Sequence, residues 1–216
     1  MIKRIYLNKS FNLLSLLIII VFINSLEAGL IKSIKVSNGI TVSKINHTLS
    51  YDWKIFEESF TGFSTGLEAN FYENSFMSIN SKLSYFEIGG TSVNYATDEY
   101  NNVIDEFEMI EVFNYISLNS TIKIKYNSDN IEPYISIGPR IDYLFDATWY
   151  NNDFNKFNYG FDFGFGFDKK VSEKLNLCVD FTWNKQINKI HDVNPDWVIE
   201  PEYSYSIALG IEYILK

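Results

Sequence analysis

Residues 157–168 read Phe-Asn-Tyr-Gly-Phe-Asp-Phe-Gly-Phe-Gly-Phe-Asp, in which an aromatic residue alternates with Asn, Gly or Asp without a break. Successive side chains of a β-strand point to opposite faces, so the six aromatic rings share one face. The opposite face carries only small or acidic residues, which suit a narrow, wet interior, whereas an aromatic face suits lipid. The alternation therefore predicts a strand of a transmembrane β-barrel, apolar outward and polar inward.

Similar alternation recurs along the chain and predicts eight strands, near residues 33–47, 61–72, 75–87, 110–126, 132–145, 157–168, 174–186 and 203–215. An even number is typical of bacterial single-chain barrels. The links after strands two, four and six are short, and the other loops are long: 48–60, 88–109, 146–156 and 187–202. A barrel that starts and ends in the periplasm has its short turns there and its long loops outside. The predicted fold is all-β, an eight-stranded antiparallel up-and-down transmembrane β-barrel.

A soluble barrel of the lipocalin type is the alternative for a chain with 18 Phe and 15 Tyr. Its inside is apolar and its outside charged, so Lys and Glu would stand opposite the aromatic rings. Strands five, six and seven place Gly, Ser, Asn and Asp there instead. Tyr and Trp near strand ends also favour a membrane interface, at Tyr72, Tyr85, Tyr126, Tyr143, Tyr159, Trp183 and Tyr213.

The N-terminal residues indicate export. Lys3, Arg4 and Lys9 precede an unbroken apolar run over 16–22, which is too short to span a bilayer comfortably. A polar stretch that ends in Ala28 follows, so we predict a signal peptide over 1–28, a single barrel domain over 29–216, and localisation in the bacterial outer membrane. An uncleaved N-terminal anchor is the alternative.

Charge and cysteine content exclude some partners. The formal net charge of −9 becomes −11 without residues 1–28, which argues against a nucleic-acid partner. Cys178 is the only cysteine, so no intrachain disulfide can form, and we predict a small buried side chain. No Gly-rich phosphate loop and no Cys and His metal cluster occurs in the sequence. The sequence predicts no cofactor and no metal.

The chain resembles the PorT-like outer-membrane β-barrel proteins of Gram-negative bacteria. The likeness rests on Pro133-Tyr-Ile-Ser-Ile-Gly-Pro-Arg-Ile-Asp-Tyr143, Tyr159-Gly-Phe-Asp-Phe-Gly-Phe-Gly166 and Ala208-Leu-Gly-Ile-Glu-Tyr-Ile-Leu215. The resemblance implies contact with outer-membrane lipid and insertion by the barrel-assembly machinery. Gly210, Tyr213 and Leu215 match the spacing of the C-terminal signal that this machinery reads, although the last residue is Lys216 rather than an aromatic one.

Five charged residues fall on the predicted inner faces of the strands: Glu68, Arg140, Asp142, Asp162 and Asp180. An eight-stranded barrel is just wide enough to be filled by its own side chains, so a general diffusion pore is not expected. We predict that these residues form a structural polar network in which Arg140 offsets part of the carboxylate charge. A narrow or gated channel is an alternative.

The loops are the other place where function could lie. Acidic residues cluster around the second loop (Asp98, Glu99, Asp105, Glu106, Glu108, Glu111) and around the fourth (Asp192, Asp196, Glu200, Glu202). They match no spaced Ca²⁺ motif, and a solvated acidic surface is the simpler interpretation. We predict a monomeric barrel with a structural, adhesive or ligand-binding role through its loops, the ligand being unknown.

Enzymatic modification of envelope lipid is the remaining alternative. The chain has two histidines, His47 and His191, both near the outer ends of predicted strands. His191 is the weak catalytic candidate, with Asp192 and either Ser50 or Ser204 as partners. Adjacent residues of a strand point apart, which argues against a direct pair between His191 and Asp192. The sequence therefore does not predict an enzyme.

Overall fold

The computed structural model describes residues 30–49, 58–100, 102–126, 128, 130–148, 154–194 and 197–215. This part of the chain forms nine β-strands: β1 (Ser33–Leu49), β2 (Glu58–Glu73), β3 (Met77–Thr97), β4 (Val103–Lys125), β5 (Ile131–Ala147), β6 (Phe157–Lys170), β7 (Leu175–Gln186), β8 (His191–Asn194) and β9 (Trp197–Ile214). No helix long and apolar enough to cross a membrane occurs among these residues.

Eight of the strands close into a ring. Each of β1 to β7 pairs antiparallel with the next strand of the ring, β7 pairs with β9, and β9 pairs with β1 to complete the closure. The short β8 lies outside the ring and pairs only with the start of β9. The predicted eight-stranded up-and-down barrel is confirmed, and closure pairs each strand on both sides within the ring.

The strands are strongly tilted. Following paired residues once around the ring from Thr61 of β2 leads back to Tyr72 of the same strand. A displacement of roughly eleven residues over eight strands corresponds to a tilt of about 40° from the barrel axis. At this tilt the residues from Phe157 to Phe167 rise by about 25 Å, which is the height of the apolar band of a transmembrane barrel.

The outside of the barrel is apolar over that height. All six aromatic residues of β6 between Phe157 and Phe167 are 40% to 61% exposed, while Asn158, Asp162 and Asp168 are buried. The neighbouring strands expose Ile, Leu, Val and aromatic side chains in the same way. The barrel is therefore of the transmembrane type, and the lipocalin alternative, with its charged exterior, does not fit.

The second predicted loop is wrong. Most of 88–109 is β-structure, because β3 and β4 continue as a paired ladder as far as Thr97 and Val103. We call residues 88–112 the long hairpin. Its many acidic residues resemble a loop in the sequence, yet backbone pairing holds them in strands. The β8 strand was also not predicted, since four residues are too few to show an alternation.

The two ends of the barrel differ in their connections. Short turns join β2 to β3, β4 to β5 and β6 to β7, and this end is called the turn end. The long hairpin, the β5–β6 connection and the β8 region lie at the opposite end, called the loop end. The described residues thus retain the predicted division into short and long connections, except that one long connection is a hairpin.

Candidate functional site

The middle of the barrel interior holds a network of ion pairs, called here the lysine cluster. Lys35 Nζ lies 3.0 Å from Asp180 Oδ2 and 3.2 Å from Glu68 Oε2. Lys123 Nζ lies 2.8 Å from Glu68 Oε1, so Glu68 bridges the two ammonium groups. The Tyr134 hydroxyl donates a hydrogen bond to Asp180, and its ring lies 4.6 Å from Lys123 Nζ.

Alternation places all of these groups inside the barrel. Lys35 lies between the outward Ile34 and Val36, and Glu68 follows the outward Leu67. Glycines on neighbouring strands provide the space that such large side chains need. A Cβ on Gly166 would stand 2.5 Å from the Tyr134 hydroxyl oxygen, which a side chain there would displace. Gly166 is thus matched to the bulky side chain of Tyr134 on the neighbouring strand.

A second ionic group, the arginine cluster, lies nearer the loop end. Arg140 Nη1 donates a hydrogen bond of 3.0 Å to Asp162 Oδ1. Arg140 Nε lies 2.9 Å from Asp142 Oδ2, an ion pair without the alignment of a hydrogen bond. The guanidinium carbon of Arg140 lies 5.2 Å from the centre of the Phe86 ring, so this side chain connects the ionic interior to an apolar region above it.

That apolar region fills the loop end of the interior and is called the apolar plug. Phe86 stacks on Tyr115 with ring centres 5.4 Å apart, and Phe113 packs edge-on against Phe154 at 5.1 Å. Leu144 is fully buried among them. The plug consists of Ile45, Phe86, Ile88, Phe113, Tyr115, Leu144, Ala147, Phe154, Ile190 and Ile199. It closes the interior toward the loop end with a packing typical of a soluble protein core.

The space left between these groups is small. A cavity of about 60 Å³ is lined by Glu68 and Asp180 of the lysine cluster, by Arg140 of the arginine cluster, and by the neighbouring polar residues Thr41 and Lys82. This volume holds a few water molecules.

The five residues predicted for the interior network are all buried, but they divide between the two clusters. Glu68 and Asp180 belong to the lysine cluster, and Arg140, Asp142 and Asp162 to the arginine cluster. Sequence reasoning missed Lys35, Lys123 and Tyr134, although each alternates with outward apolar neighbours. The irregular alternation of the first and fourth strands, where both lysines lie, concealed that signal.

The backbone of the described residues does not bring the histidines of the enzymatic hypothesis close to Ser204. His191 and His47 both pair with Ile199 of β9, from its two sides. Ser204 lies five positions further along β9, roughly 16 Å along the strand from that level. This distance exceeds the reach of a hydrogen bond between side chains. Ser50 lies outside the described residues.

The long hairpin projects beyond the apolar band. Its acidic residues include Asp98, Glu99, Asp105, Glu106 and Glu108, and no Lys or Arg occurs between 88 and 112. Large apolar side chains are exposed on it as well, at Tyr95, Tyr100, Val103, Ile104 and Phe107. It thus combines negative charge and exposed apolar surface on an element supported by the barrel wall.

The tip of the long hairpin is fixed by Asp98. Its Oδ1 accepts hydrogen bonds from the backbone amides of Tyr100 (2.8 Å) and Asn102 (2.9 Å), and its Oδ2 accepts one from Asn102 Nδ2 (2.9 Å). The bonds from Asn102 and Tyr100 favour the ionised carboxylate and hold the pKa of Asp98 below its usual range. Asp98 therefore holds Tyr100 and Asn102 in its ionised form, which is the form present at neutral pH.

Glu111 at the base of the long hairpin is different. It pairs with Gly90 of β3. This pair lies closer to the loop end than the row in which Tyr85, Ile116 and Tyr143 face one another, so Glu111 lies outside the membrane-spanning section. Burial raises the pKa of its carboxyl from 4.5 to about 7. This acidic residue thus titrates near neutral pH.

No family model and no curated protein sequence matches the chain. One similar solved structure is the outer membrane protein OprG from Pseudomonas aeruginosa, with 13% identity, coverage of 85% of this chain and 97% of that chain, and a TM-score of 0.49. Neisserial surface protein A has 14% identity, coverage of 84% of this chain and 97% of that chain, and a TM-score of 0.48. Outer membrane protein W of E. coli has 10% identity, coverage of 86% of this chain and 98% of that chain, and a TM-score of 0.46. Similarity at this level does not transfer a function, which must come from the residues of this chain.

Proposed function

We propose that this protein is a non-conducting outer-membrane barrel that presents the long hairpin outside the cell as an adhesive or ligand-binding element. The observation that carries the proposal is the projection of a paired, acidic and partly apolar hairpin from a barrel wall beyond the apolar band. A rigid scaffold that positions an exposed segment in solvent is a common basis for binding.

The chemistry of the hairpin favours a basic partner with apolar surface. The absence of Lys and Arg over 88–112 leaves its field uniformly negative, which attracts cationic groups and repels acidic ones. Exposed aromatic residues such as Tyr95, Tyr100 and Phe107 are of the type that contributes most to protein interfaces. A basic segment of another protein satisfies both conditions.

The filled interior supports the non-conducting part of the proposal. The apolar plug, the arginine cluster and the lysine cluster follow one another along the axis. Moving an ion through them would require breaking buried ion pairs and displacing a close-packed core. We therefore expect no steady conductance from the barrel in planar bilayers, and a stable open channel would contradict this part.

A trimmed hairpin tests the binding role. Replacing 94–107 by Asn-Gly joins the paired residues Val93 and Glu108 through a tight turn and keeps the barrel wall intact. We expect the trimmed barrel to keep its heat-modifiable gel mobility and to lose binding of cells to surfaces coated with lysine-rich aromatic peptides. Glutamate-rich peptides are the control. Binding that survives trimming would refute the role of the hairpin.

Localisation and biogenesis belong to the same proposal. We propose that residues 1–28, which lie outside the described residues, are removed on export, and N-terminal sequencing of the mature protein tests this. We propose that the barrel is a monomer that contacts outer-membrane lipid and is inserted through the signal at Gly210, Tyr213 and Leu215. Replacing Tyr213 by Ala should slow insertion without changing the exported amount.

The PorT-like relationship is also a proposal. The segments 133–143 and 159–166 that carry the resemblance form the paired strands β5 and β6, in which Ile135 faces Phe165 and Ile137 faces Phe163. A PorT-like barrel of known structure should show the same β5–β6 register if the relationship holds. A shifted register would reduce the resemblance to shared composition.

A further inference from the structure

Three residues that can bind a metal meet at the turn end of the barrel interior. Asp168 of β6, Cys178 of β7 and Glu212 of β9 bring one ligand atom each to within 4.8 Å of one another. The register explains the meeting, because Asp168 faces Cys178 across β6 and β7 and Asn176 faces Glu212 across β7 and β9. All three residues occupy inward positions.

One atom of this group lacks a partner. Asp168 is 5% exposed, and its Oδ1 has no hydrogen-bond partner among the described residues. A buried carboxylate oxygen without a partner is costly, and such groups in native proteins are satisfied by water or by an ion. The bare oxygen lies on the residue that faces Cys178 directly.

The lysines of the interior form their ion pairs with carboxylates outside this group. Lys35 faces Glu212 in the β1–β9 register, but its Nζ binds Asp180 and Glu68 instead. Lys123 binds Glu68. No Lys or Arg among the described residues forms an ion pair with Asp168 or Glu212, although Lys35, Lys123 and Lys125 lie near enough to attract these carboxylates. The two carboxylates therefore lack a directly bound cation.

Glu212 is held in place by neighbours. Ser33 Oγ donates a hydrogen bond to Oε1, and Asn176 Nδ2 donates one of 2.9 Å to Oε2. Hydrogen bonds of this kind orient a ligand without occupying all of its lone pairs, as the outer shell of a metal site does. The Glu212 carboxylate is therefore ordered toward the group before any ion binds.

We propose that Asp168, Cys178 and Glu212 form a binding site for a borderline-soft divalent cation of the Zn²⁺ class at the turn end of the barrel. A thiolate with two carboxylates suits such an ion, whereas Ca²⁺ and Mg²⁺ prefer oxygen ligands alone. Tetrahedral Zn²⁺ with these ligands separates the donor atoms by about 3.5 Å, so the three atoms need to approach by roughly 1 Å. A fourth position is open to water, and binding displaces the thiol proton to solvent.

Cadmium provides a probe with a thiolate-specific signal. Cys178 is the only cysteine, so an ultraviolet thiolate-to-cadmium charge-transfer band can arise only at this residue. We expect the folded barrel in detergent to give a band that saturates at one ion per barrel, and Zn²⁺ to remove it by competition. A folded barrel that gives no band would overturn the proposal.

Four variants separate a three-residue site from a lone thiol. Cys178→Ser should abolish the band, and Asp168→Asn and Glu212→Gln should each weaken cadmium affinity at least about tenfold. Asp142→Asn, which alters a buried carboxylate of the arginine cluster, is the matched control and should leave affinity unchanged. Heat-modifiable gel mobility verifies that each variant folds. The cadmium affinity of either folded carboxylate variant then shows whether the carboxylates bind the ion together with Cys178. Unchanged affinity in a folded carboxylate variant would show binding by the cysteine alone and refute the site.

Discussion

The interior of this barrel changes character along its axis. In the membrane section the inward residues are charged or small, and Lys35, Glu68 and Asp180 form ion pairs there. At the loop end the inward residues are apolar, and Phe113 and Leu144 are fully buried in the plug. The same strands supply both regions, so the difference lies in the order of residues along each strand.

The pattern of apolar residues inverts where a strand leaves the bilayer, because apolar residues then occupy the inward positions, while the facing of the positions continues unchanged. On β3, Leu83 and Tyr85 face outward in the membrane section, whereas Phe86 and Ile88 beyond them face inward. On β5, the outward Ile141 is followed by the inward Leu144. Lipid requires apolar residues outside, and water requires them inside. The position of the inversion therefore marks the boundary of the membrane section within a continuous strand.

Breaking the lysine cluster should have the largest effect on stability. Glu68→Gln removes the only carboxylate that Lys123 contacts among the described residues and one of the two that Lys35 contacts. Leaving a buried charge uncompensated costs about 4 kcal/mol of unfolding free energy. Urea unfolding of the barrel in lipid vesicles, followed by tryptophan fluorescence, measures the change.

The partly exposed pair between Lys44 and Glu202 is the control for that variant. Their atoms lie 3.2 Å apart, and Glu202→Gln should change the free energy of unfolding by less than about 1 kcal/mol. Similar losses in both variants would show that the interior of the barrel is as hydrated as its rim.

Removing bulk from the apolar plug should have the next largest effect. Leu144→Ala leaves a cavity in a packed region and should lower the unfolding free energy by about 3 kcal/mol. Ile141→Ala, on the outward face of the same strand, should lower it by clearly less, because lipid chains can fill the space. Urea unfolding of both variants checks the comparison. Equal losses would contradict a core of the soluble type at the loop end.

The sequence predicts the membrane section better than the loop end. The regular alternation of 157–168 and the glycine rows are a direct consequence of lipid outside and a narrow interior inside, so strand number and facing are readable. The apolar plug and the long hairpin cannot be read from the sequence in this way. The plug residues Phe86, Phe113 and Leu144, for example, come together only after closure of the ring. The division of the interior charges into two clusters also depends on register, which alternation alone does not give.

Glu111 makes the loop end sensitive to pH. Its pKa in the folded barrel is about 7 and its ordinary value is 4.5, so the folded state binds the proton more tightly than the unfolded state. The contribution of Glu111 to stability is then fully present below pH 4.5 and is lost as the pH rises from there through 7. Between pH 5 and pH 7 the loss is about 2 kcal/mol.

Hydrogen exchange of the long hairpin measures this pH dependence locally. The slope should disappear in Glu111→Gln, which keeps the size of the side chain and cannot ionise. Glu108→Gln, at an exposed position of the same strand, should leave the slope intact. A slope that survives in Glu111→Gln would assign the titration to another group.

The smallest effect is expected at the tip of the long hairpin, where water surrounds every group. Asp98→Ala removes the acceptor of three hydrogen bonds, so the amides of Tyr100 and Asn102 should exchange about tenfold faster. Glu99→Ala at the same tip is the control and should leave exchange unchanged.

The pKa of Asp98 is held low, so its hydrogen bonds persist at neutral pH and are lost only as the pH falls through that lowered pKa. This direction is opposite to that of Glu111. Acid should therefore loosen the tip while it stabilises the base, and a hairpin that responds as one unit would refute the distinction between its exposed end and its buried end.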